Sequence, residues 1–233
     1  MSIYKDENFI TGQIAVYKTD KKLVEFIDQL NPAPTQDYAA IHAGITRPCV
    51  NAEGRRVYSN IGIVVQNYGD KQDGKSIRAK ANISPEEALY VALNSQGAVM
   101  GLVPTFEFKT MKIFGEADNS GYSHVTHLRI VKHPTIDQDG APRRYAWEIS
   151  VENGKGKKGH NKQGGTYCVS GSYVKEKQVS VFLSELDFYK MTCALQRYIT
   201  QWENAYAPKL IRDARAAKEA DRAAFAETRQ SSK

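Results

Sequence analysis

Ile61-Gly62-Ile63-Val64-Val65-Gln66-Asn67 is answered, 86 residues further on (61 to 147), by Trp147-Glu148-Ile149-Ser150-Val151-Glu152-Asn153. Both stretches follow the pattern [IW]-x-I-x-V-x-N. In the first, Ser59, Ile61, Ile63 and Val65 share one face of a period-2 run, and Tyr58, Asn60, Gly62, Gln66 and Tyr68 share the other, the signature of a half-buried strand. A polar turn over 68–74 leads into a return strand over 75–81, with Ile77, Ala79 and Ala81 on one face and Arg78 and Lys80 on the other. Each copy then reaches a helix start of the form S-x-x-[DE]. Ser84 with Pro85 and Glu87 predicts an N-cap, a favoured N1 residue and a capping box. Ser184 with Asp187 repeats it 100 residues later (84 to 184). The extra 14 residues of the second copy fall in and around a Gly/Lys-rich stretch.

Two strands-then-helix units without βαβ alternation predict an α+β fold with antiparallel sheets. Under pseudo-twofold symmetry the helices pack together and the sheets splay around them, each helix lying over the strands of its own copy. Residues 1–207 form one duplicated domain on this reading, with repeats at about 38–97 and 103–207. Further strands are expected at 13–17, 38–45, 105–115, 122–132, 143–153, 166–173 and 178–183, and a short amphipathic helix at 21–30. The helix after Ser184 carries Phe188, Met191, Leu195, Tyr198, Ile199 and Trp202 as one apolar stripe. Pro208 is expected to interrupt it, leaving 208–233 as a charged helical tail that frays.

Of 233 residues, 41% are hydrophobic and 25% charged, which excludes wholesale disorder. Thirty-two Lys and Arg against 26 Asp and Glu give +6 and a pI near 9.1, a balance that favours polyanionic partners. The start, MSIYKDENFI, has no apolar run of the signal-peptide kind. The uncharged run 88–106 is punctuated by Gly97, Gly101 and Pro104, so no membrane span is expected. Cys49, Cys168 and Cys193 form no CxxC pair, which fits an intracellular, cytoplasmic protein with reduced thiols.

Residues 153–165 read NGKGKKGHNKQGG, five glycines, four lysines and a histidine, read as a mobile loop. The composition suits a polyanion, but Gly159 is followed by His160 and Asn161, so it is not a Walker A loop. From 143 to 182 there are eight basic and three acidic residues, interleaved with Tyr145, Trp147, Tyr167 and Tyr173. Lysines that neutralise phosphates and aromatics that stack bases are the equipment of single-strand binders. Alternation places Tyr145 and Trp147 with Ile149 and Val151 in the core. Phe182, opposite Val179 and Val181, is either an exposed platform or an interface residue. His124 and His127 fall on opposite faces of a strand, so no metal site is expected. No nucleophile elbow, HExxH or Rossmann glycine pattern is present, so neither catalysis nor a cofactor is expected.

The duplicated plan, with the turn-strand-helix run QNYGDKQDGKSIRAKANISPEEALYVAL, resembles the Whirly family of single-stranded DNA-binding proteins. It is also similar to the related transcriptional-coactivator fold, in which one such unit dimerises. The likeness covers about 57–94 and 143–203. The KGKAAL motif of plant Whirly proteins is absent, and Val174-Lys175-Glu176-Lys177 is a loose basic counterpart. The resemblance implies single strands crossing the outer sheet faces, and DNA in preference to RNA. The face analysis supplies the candidates: Arg78, Lys80, Lys155, Lys157, Lys158 and Lys162 for phosphates, and Tyr58, Tyr68 and Tyr173 for bases. Two other readings stand beside this one: an assembly protein forming homo-oligomers through the helix stripe and tail, and an enzyme whose residues converge only in three dimensions.

Overall fold

The computed structural model describes residues 12–33, 40–44, 49–72, 75–102, 105–136 and 139–231. Strands β1 (Gln13–Lys18), β2 (Lys22–Gln29), β5 (Asn60–Gln72) and β6 (Lys75–Ile83) form one antiparallel sheet in the order β1-β2-β5-β6, followed by helix α1 (Pro85–Val99). Strands β7 (Phe106–Phe114), β8 (Ser123–Lys132), β9 (Trp147–Gly156) and β12 (Val174–Leu183) form a second antiparallel sheet in the order β7-β8-β9-β12, followed by α2 (Glu185–Ser231). Two short pairs, β3 (Cys49–Val50) with β4 (Arg56–Val57) and β10 (Lys158–His160) with β11 (Thr166–Cys168), complete the described strands. The molecule is α+β.

The internal repeat extends to hydrogen-bond register. Val65 lies opposite Val24 and Ala79 in the first sheet, and Val151 lies opposite Leu128 and Val179 in the second. Ile63 lies between Phe26 and Ala81, and Ile149 between Ile130 and Val181. The first repeat therefore begins with β1 and β2, upstream of position 38. All of these side chains are buried, so each sheet turns the same apolar face inward. Strand β12 crosses the inner face of the first sheet and β6 crosses that of the second. Their backbones are clamped there. Asn153 Nδ2 donates to the Lys80 carbonyl at 2.8 Å while its Oδ1 accepts the Lys80 N–H at 2.9 Å, and Lys22 Nζ donates to the Ser180 carbonyl at 2.9 Å.

Both helix starts form as the capping residues dictate. Glu87 N–H donates to Ser84 Oγ at 3.2 Å and Ser84 N–H to Glu87 Oε2 at 2.7 Å, while Asp187 N–H donates to Ser184 Oγ at 3.2 Å. The helices pack on each other, and each reaches the first strand of the other repeat's sheet, α1 on β7 and α2 on β1. Coverage is thus exchanged between the repeats as well as local to each copy, where Phe188 stacks on Trp147 at 4.0 Å.

Four local expectations are corrected. Residues 21–30 form strand β2 instead of a helix: Val24 and Phe26 enter the core at period 2, and pairing with β5 outweighs the helical spacing of Leu23, Phe26, Ile27 and Leu30. Pro208 does not break α2, which runs unbroken through it. Proline there removes one i→i−4 bond, and the turns on either side sustain the helix. The strand expected at 166–173 is only Thr166–Cys168. Of the strand expected at 38–45, residues 40–44 form a loop pinned by the Pro32–His42 bridge, and the remaining positions lie outside the described residues.

Farther along α2, the Tyr198 hydroxyl donates to Asp28 Oδ2 of β2 at 2.7 Å. Burial, reinforced by that carboxylate, pushes its phenol up to about 12. The neutral phenol is the form that packs, so its stabilising effect is full below the ordinary tyrosine value of 10.0 and is lost as pH rises through about 12. Thermal melts of wild type and Tyr198→Phe should therefore differ at pH 9 and converge by pH 12. A constant gap would exclude Tyr198 as the titrating group.

Candidate nucleic-acid interface

The inner face of β7 carries Phe106, Phe108, Thr110, Lys112 and Phe114 at period 2. Phe106 is buried, but beyond it β6 stands away from β7 and the face opens into a groove of about 990 Å³. Thr110, Lys112 and Phe114 with Thr126 and Leu128 line one side, Lys80 and Asn82 of β6 with Ser84 and Glu86 the other, and Gly44, Tyr58 and Asn60 an end. Tyr58 is 48% exposed and Phe114 52%. The Arg56 guanidinium lies 5.0 Å from the Tyr58 ring, and the His124 ring stacks on Phe114 at 6.0 Å. Gly44 is required behind Tyr58: its φ is +75°, and a Cβ there would approach Val57 O to 2.7 Å. Lys112 is paired with Glu87 at 2.6 Å, while Lys80 has no carboxylate partner among the described residues.

The Gly/Lys stretch is not a mobile loop over its whole length. Residues 153–156 belong to β9, and β10 pairs with β11 as a hairpin beside β7. Gly154 and Gly156 serve close approach: a Cβ would come within 2.2 Å of Val174 O at the first and 2.4 Å of Cys168 Sγ at the second. Thr166 of this hairpin lines the groove, and Lys158 Nζ donates to the Gly115 carbonyl at the end of β7. Lys155 and Lys157 lie 5.7 and 5.8 Å from the ring of Tyr122. That turn is rigid. Backbone N–H groups of Tyr122 and Ser120 hold the Asp118 carboxyl below its usual range, with Lys155 and His124 adding to the effect. Lys162 is exposed in the β10–β11 turn.

The fold thus brings Tyr58 and Lys80 together in one groove, with Lys158 at its mouth, Lys162 in the turn of the same hairpin, Lys157 just ahead of it and Lys155 near the end of β9. It does not bring Tyr68, Arg78 or Tyr173 there. The Tyr68 hydroxyl is shared between the Thr19 and Lys22 carbonyls, both at 3.1 Å, and closes the β1–β2 turn. Arg78 faces Glu25 at 3.6 Å on the outer face of the first sheet. Tyr173 packs at 4.6 Å against His127 and over Gly154; burial and the neighbouring Glu152 carboxylate push its phenol well above the ordinary range. Trp147 is buried as expected, but Tyr145 is not: it precedes β9, is 41% exposed and lies 5.3 Å from the Arg144 guanidinium.

Sequence reasoning passed over Phe114, Lys112 and Tyr122. A lysine and a phenylalanine continuing the inner face of β7 past Thr110 were the available signal for the first two. Tyr122 lies just after a turn, with nothing local to mark it. No helix among the described residues is long and apolar enough to cross a membrane. No family model, curated protein or solved structure matches the chain.

Proposed function

We propose that the protein binds a single nucleic-acid strand in the groove between its two sheets, without catalysing a reaction on it. The observation that carries this reading is the meeting of two exposed rings, Tyr58 and Phe114, with Lys80 in the groove and the lysine-bearing hairpin at its mouth. Exposed rings accept unpaired bases, which a duplex keeps in its own stack, while lysines track the phosphates. DNA is preferred to RNA on the strength of the Whirly resemblance. A cytoplasmic setting accords with the three free thiols, Cys49, Cys168 and Cys193.

Replacing Lys155, Lys157, Lys158 and Lys162 together by Ala should weaken single-strand binding and flatten its log–log salt dependence. The slope should change by about 0.7 for each phosphate that is no longer neutralised. An unchanged affinity and slope would remove the hairpin from the interface.

The second reading, homo-oligomers formed through the helix stripe and tail, loses the stripe, because Phe188, Met191, Leu195 and Ile199 are buried within the chain and Tyr198 and Trp202 pack against the same core. The exposed apolar side chains Tyr90, Leu93, Leu186 and Tyr189 would take its place beside the tail. This reading predicts a mass that rises with protein concentration in sedimentation equilibrium, and nucleic-acid binding that moderate salt abolishes.

A further inference from the structure

We propose that the duplication has left one working groove, so that the ligand is one strand per chain and not the two strands of an opened duplex. The inference rests on the reading above. The shared register identifies equivalent positions in the two repeats. Lys80 lies opposite Val64 and Ser180 opposite Ser150, so the groove lysine of the first repeat is a serine in the second. Lys112 lies opposite Thr126, and the equivalent position beside Lys22 is Thr19, whose hydroxyl accepts the Lys22 N–H at 3.0 Å within a turn.

The second repeat keeps aromatic surface near the equivalent place, one residue out of register. Tyr145 takes the position of Ser59 and Arg144 that of Tyr58, with the Arg144 guanidinium 5.3 Å from the Tyr145 ring. Phe182, 43% exposed, takes the position of Asn82. This repeat lacks counterparts of Lys80 and Lys112, has Lys22 where the first groove has Thr126 but with its Nζ tied to the Ser180 carbonyl at 2.9 Å, and adds an acid. Glu148 stands opposite Phe182 where Gly62 stands opposite Asn82, its carboxylate held 2.8 Å from His133 and 3.2 Å from the Arg129 guanidinium. The β10–β11 pair beside β7 has no counterpart on the β5–β6 hairpin among the described residues. The cations near these rings are engaged within the chain, Lys22 on the Ser180 carbonyl and Arg129 on Glu148, and among the described residues no lysine-bearing hairpin stands beside them to track the phosphates that join successive bases. One half of the pseudo-symmetric pair therefore retains stacking surface but fewer free cations to hold a backbone.

The test is a calorimetric titration of the full chain with a thymidine oligonucleotide of about ten residues, short enough to fill a single groove. One equivalent per chain is expected. The pair Lys80→Ala with Phe114→Ala should lower affinity at least tenfold, and the pair Arg144→Ala with Tyr145→Ala should change it less than twofold. Two equivalents per chain, or a loss at Arg144 and Tyr145 matching that at the groove pair, would overturn the inference while leaving single-strand binding intact. A wild-type chain that binds no oligonucleotide would overturn the functional reading and this inference with it.

Discussion

Trp147→Ala should destabilise the fold by about 3–5 kcal/mol, the cost of deleting a large buried ring whose surroundings cannot collapse into the space. Trp147 is fully buried, stacked on Phe188 at 4.0 Å and tilted against Phe106 at 5.6 Å. It is held between Lys132 and Leu183 in the sheet register. One side chain thereby joins β9, the start of β7 and the first turn of α2, so the cavity would open where three elements meet. For a chain of this size the loss corresponds to a fall in Tm of roughly 6–20 °C. Trp147→Phe should cost much less. It keeps a ring against Phe188, and it removes an indole N–H that has no hydrogen-bond partner among the described residues. Melting curves of the two variants decide this. An alanine variant as stable as the phenylalanine one would show that the ring is not the keystone of the second repeat.

Tyr58→Ala combined with Phe114→Ala should weaken single-strand binding by ten- to hundredfold or more while leaving the fold intact. Each ring offers a face to one base, and stacking contributes about 1–3 kcal/mol per base. Both rings are about half exposed, so their truncation opens no core cavity. The loss should persist at high salt, because stacking releases no counterions, whereas the loss from the lysine variants should shrink as salt rises. Anisotropy titrations at two ionic strengths separate the two behaviours. A double variant that binds as tightly as wild type would place the strand elsewhere on the surface.

Where burial alternates along one strand and a cap follows, the fold was legible. Ile61, Ile63 and Val65 with Trp147, Ile149 and Val151 announced the duplication, and Ser84 and Ser184 announced both helix starts; all recur in register in the structure. What was not legible depends on partners distant in the chain. Lys22–Gln29 offers apolar residues at both periods, and the presence of β5 beside it decides for the strand. The Gly/Lys stretch has the composition of a loop, yet Val174 and Cys168 press against Gly154 and Gly156, which makes glycine a condition of sheet pairing there.

The groove shows the same division. Tyr58 and Lys80 were recognisable because they oppose apolar faces within one hairpin. Phe114 and Lys112 lie on an inner face, where alternation alone assigns residues to the core. They are open to solvent because β6 diverges from β7, a fact of sheet packing that no local pattern carries. Conversely, Tyr68 and Arg78 lie outward as the alternation required, but the Thr19 and Lys22 carbonyls and the Glu25 carboxylate occupy their polar groups.

The most direct measurement is fluorescence anisotropy with labelled single-stranded and duplex DNA of equal length, titrated with the full chain at two salt concentrations. Stacking in the groove together with phosphate neutralisation predicts tighter binding to the single strand, with the preference over duplex preserved at the higher salt. Equal binding to both forms, abolished alike by salt, would contradict a strand-specific groove and reduce the positive charge to ordinary basic surface.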